Sequence, residues 1–162
     1  MRSCEYLYID KDKNTNSRKT KLLRVKNFRF LKDNEFIDIY SQHSIYNASS
    51  VIITFEFQKN RNKNESIKMD CNPSQLCPVK IWASVISRIL SYPKGSLNSS
   101  INLYREKRSY HFINSTTMRE ALRQTVENIG SKQLGISPKN VGTHSIRSSF
   151  AMLLLLNKIP LE

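Results

Sequence analysis

A chain of 162 residues, 39% hydrophobic and 24% charged, suffices for one domain with a real core and has the balance of a soluble globular protein. Lys and Arg outnumber Asp and Glu by 26 to 13, giving a formal charge of +13. Such an excess leaves the fold open but predicts attraction to polyanions, nucleic acid first.

The longest apolar run, Phe150 to Leu156, is too short to cross a bilayer, and no signal peptide or basic amphipathic helix stands out. A membrane partner is therefore not expected. Cys4, Cys71 and Cys77 are odd in number and lack CxxC spacing. They read as reduced thiols of an intracellular protein, nuclear in a eukaryote and otherwise of the cytoplasm or nucleoid, with no zinc site and no cofactor.

In chain order, Met1 to Leu7 has helical spacing but is too short to stand alone, so the chain is expected to begin inside a longer structure. Residues 10–21 read as polar loop. Leu22 to Leu31 alternates, Leu23, Val25, Phe28 and Phe30 against Arg24, Lys26 and Arg29, with a register break at Asn27. This predicts a half-buried strand whose outer face is cationic. Ser50 to Gln58 is the clearest strand. Lys59 to Asn64 turns, and Glu65 to Cys71 returns with Ile67 and Met69 alternating, making a hairpin with a basic tip that includes Arg61 and Lys63.

Pro78 opens a helix through Trp82, Val85, Ile86 and Leu90 that Pro93 and Gly95 close, with Trp82 in the core. Residues 94–109 read as polar loop, followed by a short extended piece at Tyr110–Ile113. Within the Tyr104–Tyr110 segment, Arg105, Lys107 and Arg108 could pair with DNA phosphates, though a solvated loop explains them as well. Ser115 or Thr116 caps a helix through Met118, Leu122 and Val126 that ends near Gly130, and Leu134–Asn140 leads into the last helix. No internal repeat is visible. The order of helix, three strands and three helices predicts an α+β domain, mainly helical, with a small three-stranded antiparallel sheet.

The last helix organises the rest. Thr143 caps it, and Ile146, Phe150 and Leu154 recur at four-residue spacing on its buried side. His144 and Arg147, three apart, share a face at its first turn, where free amides and the helix dipole favour an anion. A guanidinium fork beside a histidine there describes a phosphate site.

Three segments resemble the catalytic domain of the tyrosine recombinase (phage integrase) family. Arg2-Ser3-Cys4-Glu5-Tyr6-Leu7 is similar to its first arginine motif. The hairpin carrying Gln58-Lys59-Asn60 resembles its lysine-bearing β-turn, and Gly142-Thr143-His144-Ser145-Ile146-Arg147 its His-x-x-Arg motif. The resemblance implies a DNA strand-cleaving and rejoining enzyme acting through a 3′-phosphotyrosine. Arg2 and Arg147 would hold the charge of the phosphoryl transition state with bidentate forks that Lys cannot match. His144 would donate a hydrogen bond or shuttle a proton, and Lys59, with Arg61 and Lys63 as rivals, would protonate the leaving 5′ oxygen. Glu5 would orient an arginine. The implied partner is double-stranded DNA, contacted also by Arg24, Lys26, Arg29, Arg61, Lys63, Arg105 and Arg108, with homo-oligomers forming on DNA in the full-length protein.

One departure stands out. The family's nucleophile follows His-x-x-Arg, whereas all seven tyrosines here precede His144. Residues 1–162 are therefore expected to be a partial catalytic domain, incomplete at both ends and unable alone to complete cleavage. The alternative is a non-catalytic DNA-binding remnant of a mobile-element recombinase. A basic RNA-associated protein ranks below both, because no RRM-type or KH-type signature is present.

Overall fold

The structure, a computed structural model, describes residues 22–56, 63–145 and 148–149. In chain order these form β1 (Phe28–Lys32), β2 (Glu35–Ile37), α1 (Gln42–Tyr46), β3 (Ser50–Phe55), β4 (Glu65–Asp70), α2 (Pro78–Leu90), β5 (Leu103–Glu106), β6 (Ser109–Phe112), α3 (Ser115–Ile129) and α4 (Ser131–Leu134). The α+β class stands. The sheet, however, has four antiparallel strands in the order β2-β1-β3-β4 rather than three, and β5 and β6 form a separate hairpin.

Register explains which side chains face the core. Phe28 lies opposite Ile53, and Phe30 opposite Val51, which in turn faces Met69. With Phe55 they make the apolar face of the sheet, and Phe28, Phe30, Val51 and Ile53 are at most 2% exposed. Helix α2 packs there through Val79, Ala83, Ile86 and Ile89, residues at three- and four-residue spacing. The half-buried Trp82 ring lies 4.6 Å from that of Phe28, so the indole is a core group as expected. Each fully buried side chain of this size contributes about 1.5–3 kcal/mol.

The predicted strand Leu22–Leu31 is corrected at its start. Burial alternates as the sequence indicates, but Val25–Asn27 is a 3-10 turn and β1 begins only at Phe28. Within the turn, Val25 and Lys26 donate to the carbonyls of Ser99 and Leu97 (3.0 and 2.8 Å), and before it the Leu23 carbonyl accepts from Ile101. Leu23 and Val25 thus reach the core from a chain crossing rather than from the sheet. The break at Asn27 has a cause. Its side chain turns inward, its Oδ1 accepting from the Arg24 amide (2.8 Å) and its Nδ2 donating to Glu56 (3.2 Å).

Further corrections concern hairpins and caps. β1 and β2 are joined by Asp33 and Asn34, both with positive φ (52° and 68°), as a two-residue primed turn requires. Residues 94–109 are not all loop. Ile101 and Leu103 are buried, and β5 occupies the end of that stretch. The cap of α3 is neither Ser115 nor Thr116 but Asn114, whose Oδ1 accepts from the Thr116 and Thr117 amides, both at 2.9 Å. α3 ends as expected at Gly130, which has a φ of 103° and donates to the Val126 carbonyl.

Candidate nucleic-acid interface

The segment that carries His144 is set up by α3. Arg123 sends its guanidinium across to the preceding loop, Nε donating to the Val141 carbonyl (3.2 Å) and Nη2 to that of Lys139 (3.1 Å). The loop includes a 3-10 turn over Pro138–Asn140, so two rigid pieces are clamped by one side chain. Helix then begins at Thr143. The expected Thr143 cap is corrected here. The Gly142 amide donates to Ser145 Oγ, and the Ser145 amide to the Gly142 carbonyl, both at 3.0 Å, a reciprocal bonding that places the cap one residue earlier. His144 is therefore in the first turn and exposed, at the helix end whose dipole favours an anion. Ser148 and Ser149 are also helical and exposed.

Of the four residues assigned to catalysis by resemblance, only His144 is among the described residues. Arg2, Lys59 and Arg147 lie outside them, as does Arg61, and so does the helical spacing expected over Met1–Leu7. The four are accordingly not brought together by anything described.

The other predicted DNA contacts among the described residues fall on three surfaces. On the outer face of the sheet, Arg29 is in register with Ile52, and Ile52 with Lys68. The Arg29 guanidinium lies over the exposed ring of Phe36, 4.9 Å from its centroid. That contact holds the cation while leaving it open to solvent. Lys68 pairs with Asp70 at 3.7 Å, and both side chains are exposed, so the pair adds little stability. Next to this face, Lys26 is bound by Glu56 at 3.0 Å, the same carboxylate that accepts from Asn27. Lys26 is thus committed to a partner within the chain. Arg24 is exposed beside it and bridges to Ser100 through main chain.

Lys63 is exposed where the chain re-enters β4, next to Asn64, which has a φ of 56°. The third surface is the hairpin β5–β6. Arg105 sits opposite Tyr110, while Lys107 and Arg108 form the turn, with Lys107 at a φ of 53°. On the other side Tyr104 stacks on His111 with centroids 5.3 Å apart, while Tyr110, on the face of Arg105, meets Tyr92 edge-on at 6.1 Å. Arg105, Lys107 and Arg108 are all exposed at the end of a two-stranded ribbon whose Tyr110 packs on Tyr92 of the body.

Among the described residues no group of three His, Cys, Asp or Glu is placed to hold a metal ion, and no helix is long and apolar enough to cross a membrane. Sequence reasoning missed Arg123, for which there was no local signal, because its targets are main-chain carbonyls sixteen and eighteen residues away. It also missed the pairing of Cys71 with Cys77, discussed below. No family model matches the chain, no curated protein matches it, and no solved structure matches it.

Proposed function

We propose that this chain is the DNA-binding portion of a tyrosine-type site-specific recombinase, acting in DNA integration or recombination. The observation that carries the reading is the clamped helix start at Gly142–Ser145, which presents exposed His144 at a helix amino end in a chain of charge +13. The family resemblance of the His-x-x-Arg segment supplies the chemistry. In it His144 serves the phosphate as hydrogen-bond donor, Arg2 and Arg147 hold its charge, and Lys59 protonates the leaving oxygen. Exposed Arg24, Arg29, Lys63, Arg105 and Arg108 support a duplex-binding surface. Lys26, held by Glu56, contributes least.

The chemistry is tested in a chimaera in which residues 1–162 precede a segment bearing a tyrosine. His144→Ala and Arg147→Ala are expected to leave duplex affinity within about threefold while abolishing covalent attachment to DNA, because the lost groups act on the transition state. Undiminished attachment by Arg147→Ala would overturn the recombinase assignment. Duplex binding that survives with no attachment by any tyrosine-bearing version would leave a non-catalytic DNA-binding protein.

A further inference from the structure

We propose that Cys71 and Cys77 form a reversible dithiol–disulfide pair that reacts with small-molecule disulfides, an oxidation site built across the junction of β4 and α2. It stands apart from the nucleic-acid reading and does not depend on it.

The two sulfurs lie 3.4 Å apart, in hydrogen-bond contact. Both main chains are held. Cys71 directly follows β4, and its amide donates to the Ser49 carbonyl at 2.7 Å. Cys77 is the residue before α2. Its amide donates to the Ser74 carbonyl and its carbonyl accepts from Ile81, both at 3.0 Å. The intervening turn is tied locally, Ser74 donating to Asn72 Oδ1 and Leu76 to Ser74 Oγ. Cys71 is exposed, whereas Cys77 is fully buried. One sulfur therefore meets solutes and the other waits behind it, the arrangement that an entry thiol and a resolving thiol require.

The charge state suits this chemistry. Burial alone would raise the Cys77 thiol. Amide hydrogen bonds from Asn72 (3.4 Å to the sulfur), Lys80 and Val79, with that of the Cys71 thiol, outweigh it and lower the thiol to about 7. Cys71 is raised, first by its hydrogen bond to Cys77. The two titrate as one unit that loses its first proton near neutrality, the remaining proton lying between the sulfurs.

Cys71 attacks one sulfur of a disulfide RSSR and passes its proton to the Cys77 thiolate, and RS⁻ leaves. Cys77 then loses that proton to solvent and attacks Cys71 Sγ, which expels the second RS⁻. The two thiolates released take up two protons. The dithiol is oxidised by two electrons and RSSR is reduced to two thiols.

The test is to treat the full chain, with Cys4→Ser throughout, with oxidised glutathione, and to follow intact mass and a non-reducing peptide map. The expected result is loss of two hydrogens with no retained glutathione, and a Cys71–Cys77 cross-linked peptide. Cys77→Ser should instead hold one glutathione stably on Cys71, and Cys71→Ser should react at least about tenfold more slowly, its remaining thiol being buried. The rate should rise with a midpoint near pH 7 in the parent and shift towards about 8.5 in Cys77→Ser. A parent that retains glutathione on Cys71 without cross-linking would overturn the proposal, as would an unshifted midpoint in a folded Cys77→Ser.

Discussion

At Gly95 a side chain has no room. A Cβ there would collide with the main-chain carbonyl oxygen of Ile89, just where Gly95 donates to Tyr92 and Tyr92 to Ile89 to close α2. Backbone cannot rotate aside as a side chain can, so Gly95→Ala is expected to cost about 1–3 kcal/mol. The measurement is a urea melt, with the midpoint lowered and the slope unchanged. The sequence marked Gly95 as a helix stop, but only the folded turn gives the reason. The paired thiols make stability depend on pH. Cys77 is lowered from 9.0 to about 7 in the folded chain, so its contribution is complete above the unfolded value and is lost as pH falls through 7. Cys71 is raised, and its contribution is lost as pH rises beyond the unfolded value. Under reducing conditions the urea midpoint should therefore climb from pH 7 towards 9 and turn down above it. Cys77→Ser should remove the climb.

At the scale of elements, α3 depends on its first turn. The Asn114 carboxamide oxygen accepts from two amides that would otherwise lack partners, and from the Thr117 hydroxyl at 3.2 Å. Asn114→Ala is expected to lose about 1 kcal/mol, and Asn114→Ser most of that less, measured by thermal melting. Ser115 and Thr116 also match a cap by composition, and a spacing argument has no means to choose among three adjacent polar residues. β5 was hidden for a related reason. Its Tyr104, Arg105 and Glu106 run outward from the buried Leu103 and alternate only weakly. The pairing with β6, not the local pattern, makes it a strand. By contrast α2 and β3 were plain, since each buries one regular stripe on one partner.

For the whole molecule, the charge excess predicts how the proposed DNA binding responds to salt. Each phosphate neutralised releases counterions, so the logarithm of duplex affinity should fall linearly with the logarithm of salt, with a slope steeper than about −3 if four or more contacts form. Replacing Arg105 and Arg108 together by Ala should lower that slope by about 1–2, whereas Lys26→Ala, already bound to Glu56, should change it by well under 1. Fluorescence anisotropy across a salt series measures both. A salt-insensitive interaction would sink the duplex-binding reading.

The sequence by itself determined the α+β class, the alternation that buries Leu23, Val25, Phe28 and Phe30, and the Pro78 helix, together with the net charge of +13 on which the proposed polyanion partner rests. These follow from periodicity and composition, which act locally or as sums. Only the tertiary structure decided what rests on contacts between distant or irregular segments. It brought β2 beside β1, gave Lys26 to Glu56, and clamped the start of the His144 helix with Arg123. It also set Cys71 against Cys77 across a tight turn, because strand β4 and helix α2 fix the two main chains at its ends. No pattern of residue types encodes such meetings, since each depends on where the packed core leaves the backbone.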